Sequence, residues 1–456
     1  MATLPTLRRR DLLHLGALSI AGYEMADAFQ PHNVHAQSRT KVRGSAEAVI
    51  FLNLQGGPSP MDMFDVKFGK WAPENRDVRS TKYGYQFPYG LMPKLVDQLG
   101  EIAVVRSGQA WETVHSRGQY YLQTGHAVSA ARIKESPAIG SVVAHEFNAQ
   151  RKADDFLPPF VSMNYEASTM YGPLQGEGCL PADCAPLTLD LASRNLPFFV
   201  DEKDRARLIR RWEALQQMDS SRHTLDDSSP VGMRRFDSFS KQVFKMMNHP
   251  KMSGVLKVTD EERKTYGSTA FGDACLIARN MVAAKAGAKF LMVTQPGWDH
   301  HGNIYGVKGV GGLYKTCATL DAAYSALLAD LKRMGLLEKT LVVCMGEFGR
   351  TPGDLTPVAG REHYADTMFA LFSGAGVKGG RVLGATDEQC AKITEFGWSG
   401  RRPVYPEDVC ATIYSVLGID WSKRITNTPS GRDFLYVDPA AGTKVVNFRE
   451  VSDLWS

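Results

Sequence analysis

What the chain lacks narrows its function before any motif is considered. Its formal net charge is only +4 over 456 residues, part of it from the first ten, so nothing argues for a nucleic-acid partner. Cysteine is sparse: seven residues, an odd number, with no metal-knuckle spacing. Cys275, Cys317, Cys344 and Cys410 lie in apolar periodic segments and read as buried thiols, while Cys179 and Cys184 flank a Leu-Pro loop and could pair. Internal repeats and low-complexity tracts are missing. No Gly-x-Ser-x-Gly elbow follows a strand, which speaks against a serine hydrolase even though Ser59, Thr113 and Ser116 offer hydroxyls. The apolar stretch from Leu15 to Phe29 contains Glu24 and Asp27, so it makes a poor membrane span.

What is present begins with an address. The start, MATLPTLRRR followed by Asp11-Leu12-Leu13, leads through that modest apolar stretch to Val34-His35-Ala36. Basic, apolar and small-residue parts in that order make a secretory signal. The Arg9-Arg10-x-Leu-Leu arrangement looks like the twin-arginine form, which exports folded proteins. A disordered basic terminus is the plainer reading of the same residues. The expectation is a twin-arginine signal over residues 1–36, cleaved after Ala36, and an exported bacterial protein, periplasmic or extracellular, that uses the twin-arginine export machinery.

The whole chain's hydrophobic content of 43% is ample for a large core. Ala48 to Leu54 is a continuous apolar strand running into Gln55-Gly56-Gly57-Pro58, the pattern of a βα turn in a parallel sheet. Such a turn can present backbone N–H groups to an anion. Strands are also expected at Ile102–Ser107, Leu157–Met163, Lys289–Thr294, Thr340–Met345 and Thr367–Phe372. Between them run helices: one opened by Glu112–Gln119 and ended at Thr124-Gly125, one at Pro137–Phe147, and stripes through Phe271, Cys275, Ala278, Val282 and through Leu320, Tyr324, Leu327, Leu331, Met334. The last helix is Pro406 to Leu417. Alternation of this kind gives an α/β fold, a three-layer α/β/α sandwich with a mostly parallel sheet. From about 201 to 252 the chain turns charged, Met-rich and helical, with Leu208, Trp212 and Leu215 on one face, and reads as a helical insertion or lid within a single 37–456 domain.

Three expected strand ends carry polar clusters: Asp299-His300-His301, Glu347 with Arg350, and Arg361 with His363. Open α/β sheets place their sites at the carboxyl ends of strands. Carboxylates mixed with imidazoles suit a divalent metal such as Zn, Mn or Fe. The same residues would also make a buried Asp–His–Arg network that only satisfies loops over the sheet.

Several stretches resemble a known family: FLNLQGGPSPMDMFD, HSRGQYYLQTG, FGDACLIARNMVAAKAGAKFLMVTQPGWDHHGN, LVVCMGEFGRTP, GREHY and GVKGGRVLGATDE. With the leader, they make the chain similar to the bacterial proteins grouped as domain of unknown function 1501, themselves similar to the alkaline phosphatase and sulfatase superfamily. The resemblance implies the alkaline phosphatase-like form of the sandwich. It also implies that Asp299, His301 and His363 hold one metal, with Glu347 as a further ligand or general base. Thr113-x-His115-Ser116-Arg117 and Thr124-Gly125 echo the sulfatase nucleophile motif, with a spacing longer by two, making Thr113 or Ser116 the candidate nucleophile. Arg117, Arg350 and Arg361 would bind an anionic group, as a guanidinium fork matches phosphate or sulfate oxygens. Two positions depart from the pattern. Gln55 stands where the first strand should end in a metal-binding Asp, and Phe348 where a His is expected. One metal is therefore implied better than two. The expected function is an exported, metal-dependent hydrolase-like protein acting on a phosphate or sulfate ester, a small anionic ester or glycan. The alternative is a non-catalytic cell-envelope protein that binds a glycan or protein partner.

Overall fold

Each core strand is buried along its whole length, which only a sheet covered on both faces permits. The computed structural model describes residues 40–192, 202–220, 231–307, 311–426, 428–441 and 444–456; the expected leader lies outside them. Its central sheet has eight strands: β1 (Ala48–Leu54), β2 (Ile102–Gly108), β3 (Phe160–Met163), β4 (Leu187–Leu189), β5 (Phe290–Gln295), β6 (Thr340–Met345), β7 (Met368–Ser373) and β8 (Arg381–Leu383). They lie side by side as β8-β2-β7-β6-β1-β5-β3-β4. Phe51 of β1 pairs in parallel register with Met292 of β5 and Val343 of β6. β7 runs antiparallel to both β2 and β6. Its amino end therefore meets the carboxyl ends of its neighbours, and whatever precedes β7 is delivered to that edge.

Strand periodicity sorts the side chains into two layers. Ile50, Leu52, Val342 and Cys344 face one way, against Cys275 and Ala278 of the helix Ala270–Ala283 and Leu320, Tyr324, Leu327 and Leu331 of Gly312–Arg333. Val49, Phe51, Leu341 and Val343 face the other way, against Val142 and Val143 of Ile139–Asn148 and Cys410 and Ile413 of Pro406–Val416. Each fully buried aliphatic side chain contributes about 1.5–3 kcal/mol. The result is the expected mixed α/β sandwich. Met334 departs from its stripe and is exposed.

The expected insertion contains a helix pair, α1 (Glu202–Ser220) and α2 (Val231–Asn248), with Trp212 stacked on Phe244 at 4.5 Å. Leu215 is open to solvent, so the shared face ends at Trp212. Gln242, Val243 and Met246 of α2 line a small cavity with Pro158 and Leu187, at the amino ends of β3 and β4. That is the sheet edge opposite the clustered polar residues, so this part of the insertion does not cover them. Cys179 and Cys184 are free thiols, not a pair. No described helix is long and apolar enough to cross a membrane.

Candidate metal centre

The first βα turn shapes the site. Gly56 and Gly57 have φ of 120° and 73°, and a Cβ on Gly56 would stand 2.5 Å from the Asp299 nitrogen. Only glycine lets the two loops approach this closely. The turn does present an N–H to an anion, and the anion belongs to the protein: Gly56 donates to Glu347 Oε1 at 3.0 Å.

Four side chains converge at this edge. His115 is the first residue of the helix His115–Thr124, after β2. Asp299 and His301 follow β5, and His363 lies on a short ribbon paired with Gly349–Arg350 just before β7. Each offers a ligand atom, all within 4.8 Å of one another. His115 Nε2 stands 3.2 Å from Asp299 Oδ1, His301 Nε2 2.8 Å and His363 Nε2 3.4 Å from the same oxygen. The His301 and His363 Nε2 atoms are 2.9 Å apart. A tetrahedral ion with bonds of about 2.0–2.1 Å sets its donor atoms roughly 3.3 Å apart. The four spacings bracket that value.

The outer partners of the histidines decide what their inner nitrogens carry. His115 Nδ1 faces Glu347 Oε1 at 2.7 Å, His301 Nδ1 faces Glu362 Oε2 at 2.8 Å, and His363 Nδ1 faces the Thr113 carbonyl at 2.6 Å. All three partners are acceptors, so each Nδ1 donates outward and leaves Nε2 facing the cluster. Metal-ligating histidines are oriented in this way. His115 Nε2 is buried and has no hydrogen-bond partner. A buried ring nitrogen without a hydrogen bond, 3.2 Å from a carboxylate oxygen and grouped with two further ring nitrogens, is an arrangement a cation relieves. The residues present therefore fit a divalent ion.

Electrostatics agree. Burial works to raise the Asp299 pKa, but His115, His363 and Arg350 outweigh it and hold the carboxyl well below the usual range. Burial likewise lowers the His115 pKa, while the neighbouring Asp299 and Glu347 carboxylates outweigh that and raise it. His300 stays neutral, pushed down to about 4 by burial and then by Arg350.

Several expected residues play other parts. Glu347 is not among the four; it is buried and accepts from Gly56 N, Gln119 Nε2 and His115 Nδ1. Arg350, expected to clamp an anion, is buried and donates to the Gly57 and Arg361 carbonyls and to Asp299 Oδ1 at 2.5 Å. Arg361 is buried too, bonded through Nε to Asp62 Oδ2 at 2.7 Å and through NH1 to the Thr351 and Gly353 carbonyls. Asp62 also accepts from Ser59 at 2.6 Å and Tyr305 at 2.5 Å, so Ser59 belongs to that network. Arg117 is exposed and bound to Glu112 at 2.7 Å. Thr113 is exposed and meets the cluster through its carbonyl; Ser116 is half-buried beside Gly172. Gln55 bonds both ways with the Glu166 backbone, and Phe348 packs on the rings of His115 and His363 at 4.9 and 4.8 Å. His115 is the member of the cluster that residue spacing does not reveal. Its one sequence signal is its place at the start of a helix following a strand that ends at the same sheet edge.

A search of curated proteins finds no match. The solved structures similar to this one include the sulfatase PsFucS1 from Pseudoalteromonas sp., with 11% identity, a TM-score of 0.38, and coverage of 82% of this chain and 68% of that one. A protein of the alkaline phosphatase superfamily from Vibrio parahaemolyticus has 12% identity, a TM-score of 0.36, and coverage of 84% and 68%. The phosphonate monoester hydrolase SpPMH from Silicibacter pomeroyi has 12% identity, a TM-score of 0.37, and coverage of 82% and 73%. The model of the family described as "Protein of unknown function (DUF1501)" matches residues 46–447.

Proposed function

The chain belongs to this DUF1501 family, and for this member of it we propose an exported, metal-dependent hydrolase-like protein acting on a phosphate or sulfate ester. The observation that carries the reading is the convergence of three anchored imidazoles and Asp299, with ligand atoms within 4.8 Å of one another. Bound there, a Zn, Mn or Fe ion would supply Lewis-acid chemistry to an ester. The chain's own part is orientation. Glu347, Glu362 and the Thr113 carbonyl fix the rings, Arg350 keeps Asp299 ionised, and Phe348 walls the inner side. Thr113 or Ser116 would supply the nucleophile if the reaction is covalent. Export rests on the arginine-bearing leader.

The test is metal content by elemental analysis of protein purified without chelator, followed by a screen of phosphate and sulfate monoesters. About one equivalent of metal, with ester turnover lost on chelation, supports the reading. A folded protein without metal overturns it.

A second reading has specific support. A site that uses all four side chains is closed, as structural zinc sites are, whereas catalytic sites keep a position open. Gln55 and the arginines are also engaged within the protein. A binding protein with a structural ion would lose stability on chelation but show no ester turnover to lose.

A further inference from the structure

The segment leading into His115 runs alongside the one that carries His363. The Ala110 N–H donates to the Ala365 carbonyl at 2.8 Å, and His363 Nδ1 donates to the Thr113 carbonyl at 2.6 Å. Between those bonds stands Trp111, half-buried, with no part in the metal cluster. Its indole is held unusually firmly for a loop side chain. The ring lies flat on Tyr405 at 4.2 Å with 6° between planes. Its Nε1–H is shared between both oxygens of Glu407, at 3.0 and 3.1 Å, and Glu407 is buried. Tyr405 is itself tied down, donating from its hydroxyl to Gln109 Oε1 at 2.9 Å. Gln109 in turn donates from Nε2 to Asp366 Oδ1 at 3.0 Å, and Asp366 is exposed.

We propose that Trp111, with Gln109 and Asp366, forms a subsite for a neutral sugar ring beside the metal cluster. A pyranose presents an apolar face of C–H groups and an edge of hydroxyls. A fixed indole suits the first; for the second, Gln109 keeps one further amide N–H and Asp366 further carboxylate lone pairs beyond the bonds they make with Tyr405 and each other. Pre-organisation by Tyr405 and Glu407 reduces the entropy lost on binding. The charges nearby argue against a polyanion. Asp366 is acidic, and Arg117 is neutralised by Glu112. The inference narrows the proposed substrate to an ester whose alcohol part is a neutral sugar, and to that extent it rests on the hydrolase reading. The subsite itself does not need turnover.

The test uses the full chain as purified with its metal, and saturation-transfer NMR and calorimetry with neutral oligosaccharides: cello-, xylo-, manno- and laminari-oligosaccharides. At least one series should bind the wild type. Trp111→Ala should weaken that binding about tenfold, and Trp111→Phe should retain part of it. Asp366→Ala, at an exposed position, should weaken binding without changing the melting temperature, which keeps the test sound if Trp111→Ala folds poorly. Failure of every series to bind the wild type, or equal binding by wild type, Trp111→Ala and Asp366→Ala, overturns the subsite. Trp111-dependent binding in a protein that neither holds metal nor cleaves an ester keeps the subsite and overturns the hydrolase reading alone.

Discussion

Replacing Glu347 with glutamine changes one oxygen to an amide group and little else in shape, yet it should reach the metal. In the wild type the Glu347 carboxylate accepts from three donors: Gly56 N, Gln119 Nε2 and His115 Nδ1. A glutamine offers one acceptor oxygen and an NH2, which cannot face a donor. Either a buried N–H loses its partner, or His115 moves its proton to Nε2 and accepts at Nδ1. The second outcome removes the lone pair that His115 points at the cluster. Loss of an outer-shell partner typically weakens metal binding by about 10–100-fold, or roughly 1.4–2.7 kcal/mol. The metal-free fold should also lose about 1–3 kcal/mol for the unsatisfied donor. The assay is competition for Zn with a chromogenic chelator, with apo melting curves run alongside to separate the two effects. Glu362→Gln is the comparison. Glu362 is 56% exposed, so water can replace its contact with His301, and its loss should cost less. Glu347→Gln binding Zn as tightly as wild type would falsify the assignment of His115 as an Nε2 ligand.

Other outcomes follow from the same geometry. The double variant Asp299→Ala/His363→Ala should hold no metal after purification, and unchanged metal content would remove both from the site. Arg361→Ala leaves Asp62 buried beside Arg76 with one guanidinium fewer, so it should destabilise the fold by about 3–5 kcal/mol. A stable Arg361→Ala protein with a raised KM would instead restore Arg361 as a substrate residue. In the metal-free protein the His115 pKa is raised, so its protonation stabilises the fold fully below the unfolded value of about 6.5 and that contribution fades as pH rises through the folded pKa. Metal must displace that proton, so apparent Zn affinity should climb with pH above about 6.5, and a flat profile would count against His115. Asp299 has the opposite sign: its contribution is present above about 3.9 and lost as pH falls through its depressed folded pKa, seen as acid unfolding of the apo protein.

The sheet was legible because buried parallel strands are continuous apolar runs, and those at 48–54 and 340–345 are interrupted only where polar residues leave the edge. Asp299, His301 and His363 could be picked out because they cluster next to such ends. His115 could not be ranked as a ligand, because nothing in local spacing tells a helix-start histidine from one that faces a site 184 residues further on. The arginines show the converse. Arg350 and Arg361 sit in the right stretch, but only the fold reveals that the Gly56 and Gly57 carbonyls and Asp62 reach them first. The antiparallel course of β7 was equally hidden, since strand direction depends on the crossing of the preceding loop and not on composition.

The candidate ligands come from three segments well apart along the chain: after β2, after β5 and before β7. No short peptide of this protein holds two of the three, so an ion can be captured only once the strands between them have paired. Assembly of this kind is a late event, governed by long-range contacts. With the export of folded protein proposed above, the choice of metal becomes a matter of which ions are free in the compartment of synthesis, not in the one the protein is exported to.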